Sequence, residues 1–276
     1  MTKAPNSKLS PSSSFSHYPR LSRSALAAAV SAALLAGPMA SPARAQLEEI
    51  IVTATKRAES VMDVPLAVQA LSGEFLREVN LDDIKDLVSF TPGVTGNSKD
   101  SFLDTIRVRG IVTNDFGNGG DPSLGVYKNG FYQGRNGSAV TSLFDLDRAE
   151  ILRGPQGFLF GRNSISGAFS VFTTKPVRGD SDAYVDVRVG ERGVFTGEAA
   201  GNIDIGDSFA VRIAGYHSEE DGYVTNIATG NKFIKHNKDA LRLTGVYDAG
   251  GALEATVFLE YEDRKQSGTI YRATGN

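Results

Sequence analysis

Apolar positions along this chain are arranged in three successive ways, and each arrangement predicts a different structure. They first form a nearly unbroken run, Ala25-Leu-Ala-Ala-Ala-Val-Ser-Ala-Ala-Leu-Leu-Ala36. Between 58 and 180 they recur in short stretches, some at the period of a strand and some at that of a helix. From 184 onward they alternate with polar residues. Val185, Val187 and Val189 share one face, with Asp186 and Arg188 opposite. Phe209, Val211 and Ile213 alternate with Ala210, Arg212 and Ala214. Leu253, Ala255, Val257, Leu259 and Tyr261 alternate with Glu254, Thr256, Phe258, Glu260 and Glu262. Weaker strands are expected near 195–204 and 240–247. Period-two alternation in roughly ten-residue segments suits a membrane barrel with lipid outside and water inside. A soluble antiparallel sheet with one wet face has the same period.

The first run is 12 residues long. That fits the roughly 7–15 residues of a signal-peptide core and falls short of the ~20 needed to span a bilayer. Lys3, Lys8, Arg20 and Arg23 precede it, and no acid appears before Glu48. Gly37-Pro38 breaks the helix, and Ala43-Arg44-Ala45 has the small-x-small form of a cleavage site. A signal peptide over 1–45 is expected, cut between Ala45 and Gln46, with export across the inner membrane of a Gram-negative-type cell. The competing reading is a buried alanine-rich helix.

Residues 46–57 come next, with Ile50, Ile51, Val52, Thr53 and Thr55 all β-branched. Such a stretch favours extended backbone. It can add to the edge of another protein's sheet, or serve as the first strand of the domain that follows. Within that domain, Val61–Leu71 reads as a strand and 73–80 as a short helix. Asn80 is positioned to cap a second helix carrying Ile84, Leu87 and Val88, stopped by Pro92-Gly93. Thr105–Arg109 reads as a strand. Asn129-Gly130 predicts a tight hairpin between 124 and 132. Ala149–Arg153 and Ala168–Thr174 complete a small mixed α/β domain.

Composition narrows the chemistry. The formal net charge is −3, which gives no basic footprint for nucleic acid. There are no cysteines, which excludes disulfides, thiolate metal sites and a Cys nucleophile. His17, His217 and His236 are too scattered for a histidine metal site. No H-E-x-x-H, G-x-S-x-G or supported carboxylate pair occurs, so no enzyme is expected. Gly154–Gly167 is glycine-rich, but Arg162-Asn163 follows Gly161 where a P-loop needs Lys-Ser/Thr. It reads as a packed loop. No cofactor and no metal is expected.

Several of these motifs carry a family resemblance. Glu49-Ile-Ile-Val-Thr-Ala-Thr-Lys-Arg57 resembles the TonB box of TonB-dependent receptors. Ile106-Arg-Val-Arg-Gly110, Leu124-Gly-Val-Tyr127 and Asp147 to Lys175 resemble their plug domain. The strongest match is Glu150-Ile-Leu-Arg-Gly-Pro-Gln-Gly, Phe160-Gly-Arg-Asn and Gly167-Ala168, in that order and spacing. Phe158 stands where a small residue is common, and Lys128-Asn129 where an acidic-glycine turn is common.

The resemblance implies a signal peptide (1–45), a TonB box segment (46–57), an α+β plug domain (58–180) and the first antiparallel strands of a transmembrane β-barrel (181–276). It implies that Ile50, Ile51, Val52, Thr53 and Ala54 bind the periplasmic energy transducer TonB. It also implies that Arg109 and Arg153 latch the plug to glutamates on the inner barrel wall. Read without it, they are solvated strand-end arginines. Plug loops near 96–104 and 112–122 would face the ligand, with Asn97, Phe102, Asn114 and Phe116 as candidates. Partners would be TonB, outer-membrane lipid and a small-molecule ligand such as a ferric siderophore.

Barrels of this type have about 22 strands, and only about five fit into residues 184–276. The expected barrel is therefore incomplete, as in a fragment, a split gene or a truncated frame. The expected function is TonB-dependent uptake across the outer membrane. The alternative is a non-transporting periplasmic plug-like binding module or an inactive product.

Overall fold

The computed structural model describes residues 50–79, 81, 83–96, 106–113, 120–134, 141–250 and 253–267. The signal peptide and its cleavage site lie outside these, as do Asn80, Asn97, Phe102, Asn114 and Phe116. Two five-stranded sheets dominate.

The first sheet belongs to the α+β domain. Its strands are β3 (Val68–Ser72), β6 (Leu124–Lys128), β7 (Phe131–Tyr132), β8 (Leu146–Arg153) and β9 (Gly167–Thr173). Their order is β3-β8-β9-β6-β7, with β6 parallel to β9 and every other pair antiparallel. Small pairs flank the sheet: β1 (Ile51–Val52) with β2 (Glu59–Ser60), and β4 (Val94–Thr95) with β5 (Arg107–Val108). The β6–β7 hairpin turns at Asn129 (φ 51°) and Gly130 (φ 83°), the two positive φ values that Asn-Gly supplies. Gly167 is required where β9 passes β8, because a Cβ there would stand 2.3 Å from the Leu152 carbonyl oxygen.

The structure is more irregular than the sequence pattern implied. The expected strand Val61–Leu71 is confined to Val68–Ser72, and 61–67 form turns and irregular backbone. The strand expected at Thr105–Arg109 is confined to Arg107–Val108. A helix covers Gly73–Glu78, capped by the Ser72 hydroxyl. The second helix is a 3-10 helix over Ile84–Phe90, and its cap is Asp83, not Asn80. The Asp83 carboxylate accepts from Lys85 N, and Asp86 accepts from Asp83 N to close a capping box.

The sheet buries both faces. On one, Ala149, Ile151, Phe169, Val171, Leu124 and Val126 pack against Leu76, Ile84 and Leu87 from the helices. On the other, Leu152, Ala168, Tyr127 and Phe160 pack against Val52 and Ala54. Successive strand residues face opposite ways, so alternate positions of β8 serve the two cores.

The second sheet is a meander of long strands: β10 (Ala183–Val189), β11 (Phe195–Ile205), β12 (Phe209–Glu220), β15 (His236–Asp248) and β16 (Glu254–Gln266). All neighbours are antiparallel. A small hairpin, β13 (Val224–Thr225) and β14 (Lys232–Phe233), stands in the β12–β15 connection.

This sheet inverts the usual distribution of polarity. Its exposed face carries Val185 (77% exposed), Val189 (79%), Ile203, Phe209, Leu241, Leu243, Val257 and Leu259. Its covered face carries Thr196, Arg212, Ser218, Lys238, Arg242 and Thr244, all buried. An apolar outer face and a polar inner one is the distribution a lipid-facing barrel wall requires. No helix among the described residues is long and apolar enough to cross a membrane.

The exposed face predicts behaviour in solution. Residues 46–276 should aggregate in water and disperse only with detergent. Sedimentation with and without detergent checks this, and a cooperatively folded monomer in plain buffer would show that the outer face is not built for lipid.

Candidate functional site

The polar inner face of the long sheet grips the α+β domain, and the grip centres on Phe144-Asp145, just before β8. Asp145 has a left-handed backbone (φ 49°), which turns the chain sharply into the strand. Its carboxylate is 2% exposed. Arg212 on β12 donates to it from Nε (3.0 and 2.9 Å) and Nη2 (2.6 Å). Arg242 on β15 reaches the same carboxylate at 3.4 Å and donates to the main-chain oxygens of Phe144 (2.7 Å) and Asp145 (3.0 Å).

Strand register explains why the two arginines meet. Arg212 lies opposite Thr244, and Arg242 lies opposite Ala214. They are diagonal neighbours on one face, within reach of long side chains. Small residues beside them, Ala210 and Ala214, leave room for the domain. The guanidinium of Arg242 also lies 4.2 Å from the centre of the Phe144 ring. That ring stacks on Tyr216 of β12 with centroids 5.5 Å apart. Glu198 on β11 accepts from the Asp145 backbone N–H at 2.8 Å and from the Tyr184 hydroxyl. Asp182 and Asn202 take the remaining guanidinium N–H groups of Arg212.

Further contacts extend the grip. Glu262 on β16 accepts from the Ser142 hydroxyl (2.8 Å) and backbone N–H (3.2 Å). Lys128, beside the β6–β7 turn, pairs with Glu260. Burial pulls the Lys128 ammonium below its ordinary pKa, and Glu260 opposes this. Arg188 on β10 donates to the Arg77 carbonyl at 2.7 Å. Asp83 is pushed up to about 6, first by burial and then by Asp86, against the attraction of Lys238 on the wall and of Lys85.

The expected latch residues sit elsewhere. Arg109 is exposed, at φ 51°, with its guanidinium beside Gly154. Arg153 is half-buried and donates to the Pro92 carbonyl at 2.9 Å, while its Nε has no hydrogen-bond partner. Among the described residues neither forms an ion pair. The ion pairs that join the domain to the wall are instead Arg212 and Arg242 of the wall with Asp145 of the domain, and Lys128 of the domain with Glu260 of the wall. Sequence reasoning missed Asp145, Arg212 and Arg242. Arginines between alanines on the polar face of a strand, as in Ala210-Val-Arg-Ile-Ala214, were the available signal.

The segment 50–54 is not a free end. Ile51 and Val52 pair with Ser60 and Glu59, and the chain turns between through Lys56 (φ 66°). Val52 and Ala54 are fully buried on the sheet. Glu150 on β8, 1% exposed, accepts from the Thr53 backbone N–H (2.8 Å) and hydroxyl (3.1 Å). Arg148 donates to the same carboxylate at 2.9 Å and to the Thr53 hydroxyl at 3.3 Å. The Lys56 ammonium sits 3.9 Å from the centre of the Phe160 ring.

No cluster of metal-ligating side chains occurs among the described residues. The arrangement is a small domain socketed on the polar side of a lipid-facing wall, with an N-terminal segment lying on the domain. Residues 60–168 match the TonB-dependent receptor plug domain, and the plug with its antiparallel wall strands resembles the fold of solved outer-membrane receptors.

Similar proteins agree. The ferripyoverdine receptor of Pseudomonas aeruginosa is 25% identical over 203 residues, covering 71% of this chain and 24% of the relative. The ferric yersiniabactin uptake receptor FyuA of Yersinia pestis superposes with a TM-score of 0.66 at 22% identity, covering 72% of this chain and 32% of that one. The alcaligin outer-membrane receptor FauA of Bordetella pertussis gives 0.64 at 19% identity, covering 80% and 36%. The chain thus spans about a quarter of the ferripyoverdine receptor's length. These relatives are receptors, not enzymes.

The socket makes a quantitative prediction. Asp145→Ala removes the buried acid that two guanidinium groups share, leaving Arg212 only the more exposed Asp182 and Arg242 only Glu260 at 3.4 Å, and should destabilise the folded chain by about 3–5 kcal/mol. Arg178→Ala, which removes a partly exposed pair with Asp248, should cost below about 1 kcal/mol. Denaturant unfolding in detergent measures both, and equal small losses would show that the socket carries little.

Proposed function

We propose that this chain forms the plug and first wall strands of an outer-membrane receptor that takes up a ferric siderophore with energy delivered by TonB. The observation that carries the proposal is the plug seated through Asp145 on a wall that is polar within and apolar without. Such a wall places the plug in a barrel lumen, where a ligand from outside must pass it. The ligand class rests on the similar receptors, which are receptors for ferripyoverdine, ferric yersiniabactin and alcaligin. In this reading the mature protein begins at Gln46, after export and cleavage, and lies in the outer membrane.

Residues 50–54 are the coupling strand. Ile50, Ile51, Val52 and Thr53 are β-branched, Ile51–Val52 adopt extended backbone, and the pairing there is one that another strand could replace. Arg109 and Arg153 await glutamates on wall strands beyond β16. The unpartnered Arg153 Nε and the exposed Arg109 favour that role. Asn97, Phe102, Asn114 and Phe116 are proposed to face the ligand.

The test is Ile51→Pro in the receptor that carries this chain, in cells lacking other siderophore receptors. Proline removes a backbone donor and fixes φ, so an added strand cannot pair fully. Binding of a radio-iron-labelled siderophore at the cell surface should persist, and energy-dependent uptake should stop. Normal uptake by the variant would rule out residues 50–54 as the coupling strand.

A further inference from the structure

The carboxylate of Glu150 has no role in the grip between plug and wall, yet it is almost fully buried on β8, an interior strand of the plug sheet. An acid in such a place needs partners for its charge, since burying an uncompensated carboxylate is costly. Its partners come from two sources. One is Arg148, two residues away on the same strand and face. The other is Thr53, 97 residues earlier, which donates both its backbone N–H and its hydroxyl.

The Thr53 N–H lies in the middle of the segment 50–54. Strand addition requires main-chain donors of that segment to be available to a partner's carbonyls. While Glu150 accepts from Thr53, that donor is occupied. The flanking side chains are also committed, because Val52 and Ala54 are buried against Leu152 and Ala168.

We infer that Glu150 is a catch that holds residues 50–54 on the plug and controls their availability to a partner strand. The inference rests on the coupling role proposed for those residues. A hydrogen bond to a charged group is among the stronger single contacts a protein makes, and this one acts on a segment with few others. β1 pairs through Ile51 and Val52 with a strand of two residues, and Ile50 adds one bond by accepting from the Val61 N–H. Losing the catch leaves this short pairing and the burial of Val52 and Ala54 to hold the segment on the sheet.

Strand β8 links the catch to the wall. Asp145, seated between Arg212 and Arg242, immediately precedes it, and Glu150 lies five residues on. The same strand is fixed to the wall at one end and holds the segment at its centre. A pull on residues 50–54 meets Glu150 first, and the seat of the plug stays in place while the segment leaves.

The test is hydrogen exchange by mass spectrometry on the full chain in detergent, with purified TonB periplasmic domain as a separate binding probe. Glu150→Ala should raise exchange over residues 51–54 by about tenfold or more, the scale of losing a charge-assisted hydrogen bond. Residues 167–173 of β9 serve as the internal control and should stay within about twofold. Thr53→Ala, which changes no residue of β8 and keeps the Thr53 backbone N–H, should give a smaller rise in the same residues, and Glu150→Gln, which can still accept, should lie between wild type and Glu150→Ala. Exchange over 51–54 unchanged in both Glu150→Ala and Thr53→Ala overturns the catch. So does a rise shared equally by β9, which would mark general loosening of the sheet. Faster exchange together with tighter TonB binding supports both the catch and the coupling role. Faster exchange with no TonB binding in any variant keeps the catch and rejects the coupling role.

Discussion

The structure depends on one buried carboxylate. Asp145 is held between two arginines from neighbouring wall strands, and the position of the plug on the wall follows from it. Burying an acid with two guanidinium groups carries a large desolvation cost, which mutual attraction offsets only with good geometry and full hydrogen bonding. Here the geometry is good. Arg212 donates from two nitrogens to the carboxylate, Arg242 donates to the Phe144 and Asp145 carbonyls, and Glu198 accepts from the Asp145 N–H. A buried network of this kind is weak evidence for stability, but it is selective. Sliding the plug by one strand or by two residues would leave charges buried without partners. The network therefore acts as a register key between two sheets that share no backbone ladder.

That key explains the inverted polarity of the wall. Arginines and a lysine can occupy the covered face of β12 and β15 because the plug brings acids and carbonyls to meet them. The outer face is freed of polar duties and carries valine, isoleucine, leucine and phenylalanine. Its apolar surface makes sense only against lipid. The two faces are consequences of the same alternation, so a one-residue register slip would put arginine into hydrocarbon and valine against the plug.

Much of this was legible in the sequence, and the parts that were not share a cause. The wall strands were visible because period-two alternation is a local signal. The β6–β7 turn was visible because Asn129-Gly130 satisfies a local φ requirement. Asp145 was not, because its partners lie 67 and 97 residues away and nothing in Leu-Phe-Asp-Leu-Asp distinguishes a seated acid from a turn aspartate. The cap at Asp83 was misassigned to Asn80, since both are good cap residues and the choice fell to tertiary context. Val61–Leu71 alternates, yet only its end is strand, because its partner β8 ends at Arg153, which already bonds the Ala67 carbonyl. Residues 50–54 read as an extended segment, to be added to another protein's sheet or to begin the domain that follows. Which side chains cover it could not be read, because they are Leu152 and Ala168, about a hundred residues on.

The central claim is that Asp145 and the wall arginines form one interacting unit that seats the plug. A double-mutant cycle on Asp145 and Arg212 measures it directly, using Asp145→Asn, Arg212→Gln and the pair, with denaturant unfolding of the detergent-solubilised chain. Interacting residues of a buried network show coupling of roughly 0.5–3 kcal/mol, and the account predicts a value near the top of that range, with the double variant scarcely less stable than the worse single one. Additive losses would contradict it, because they would mean that Asp145 and Arg212 contribute separately and that the plug is held on the wall by something else.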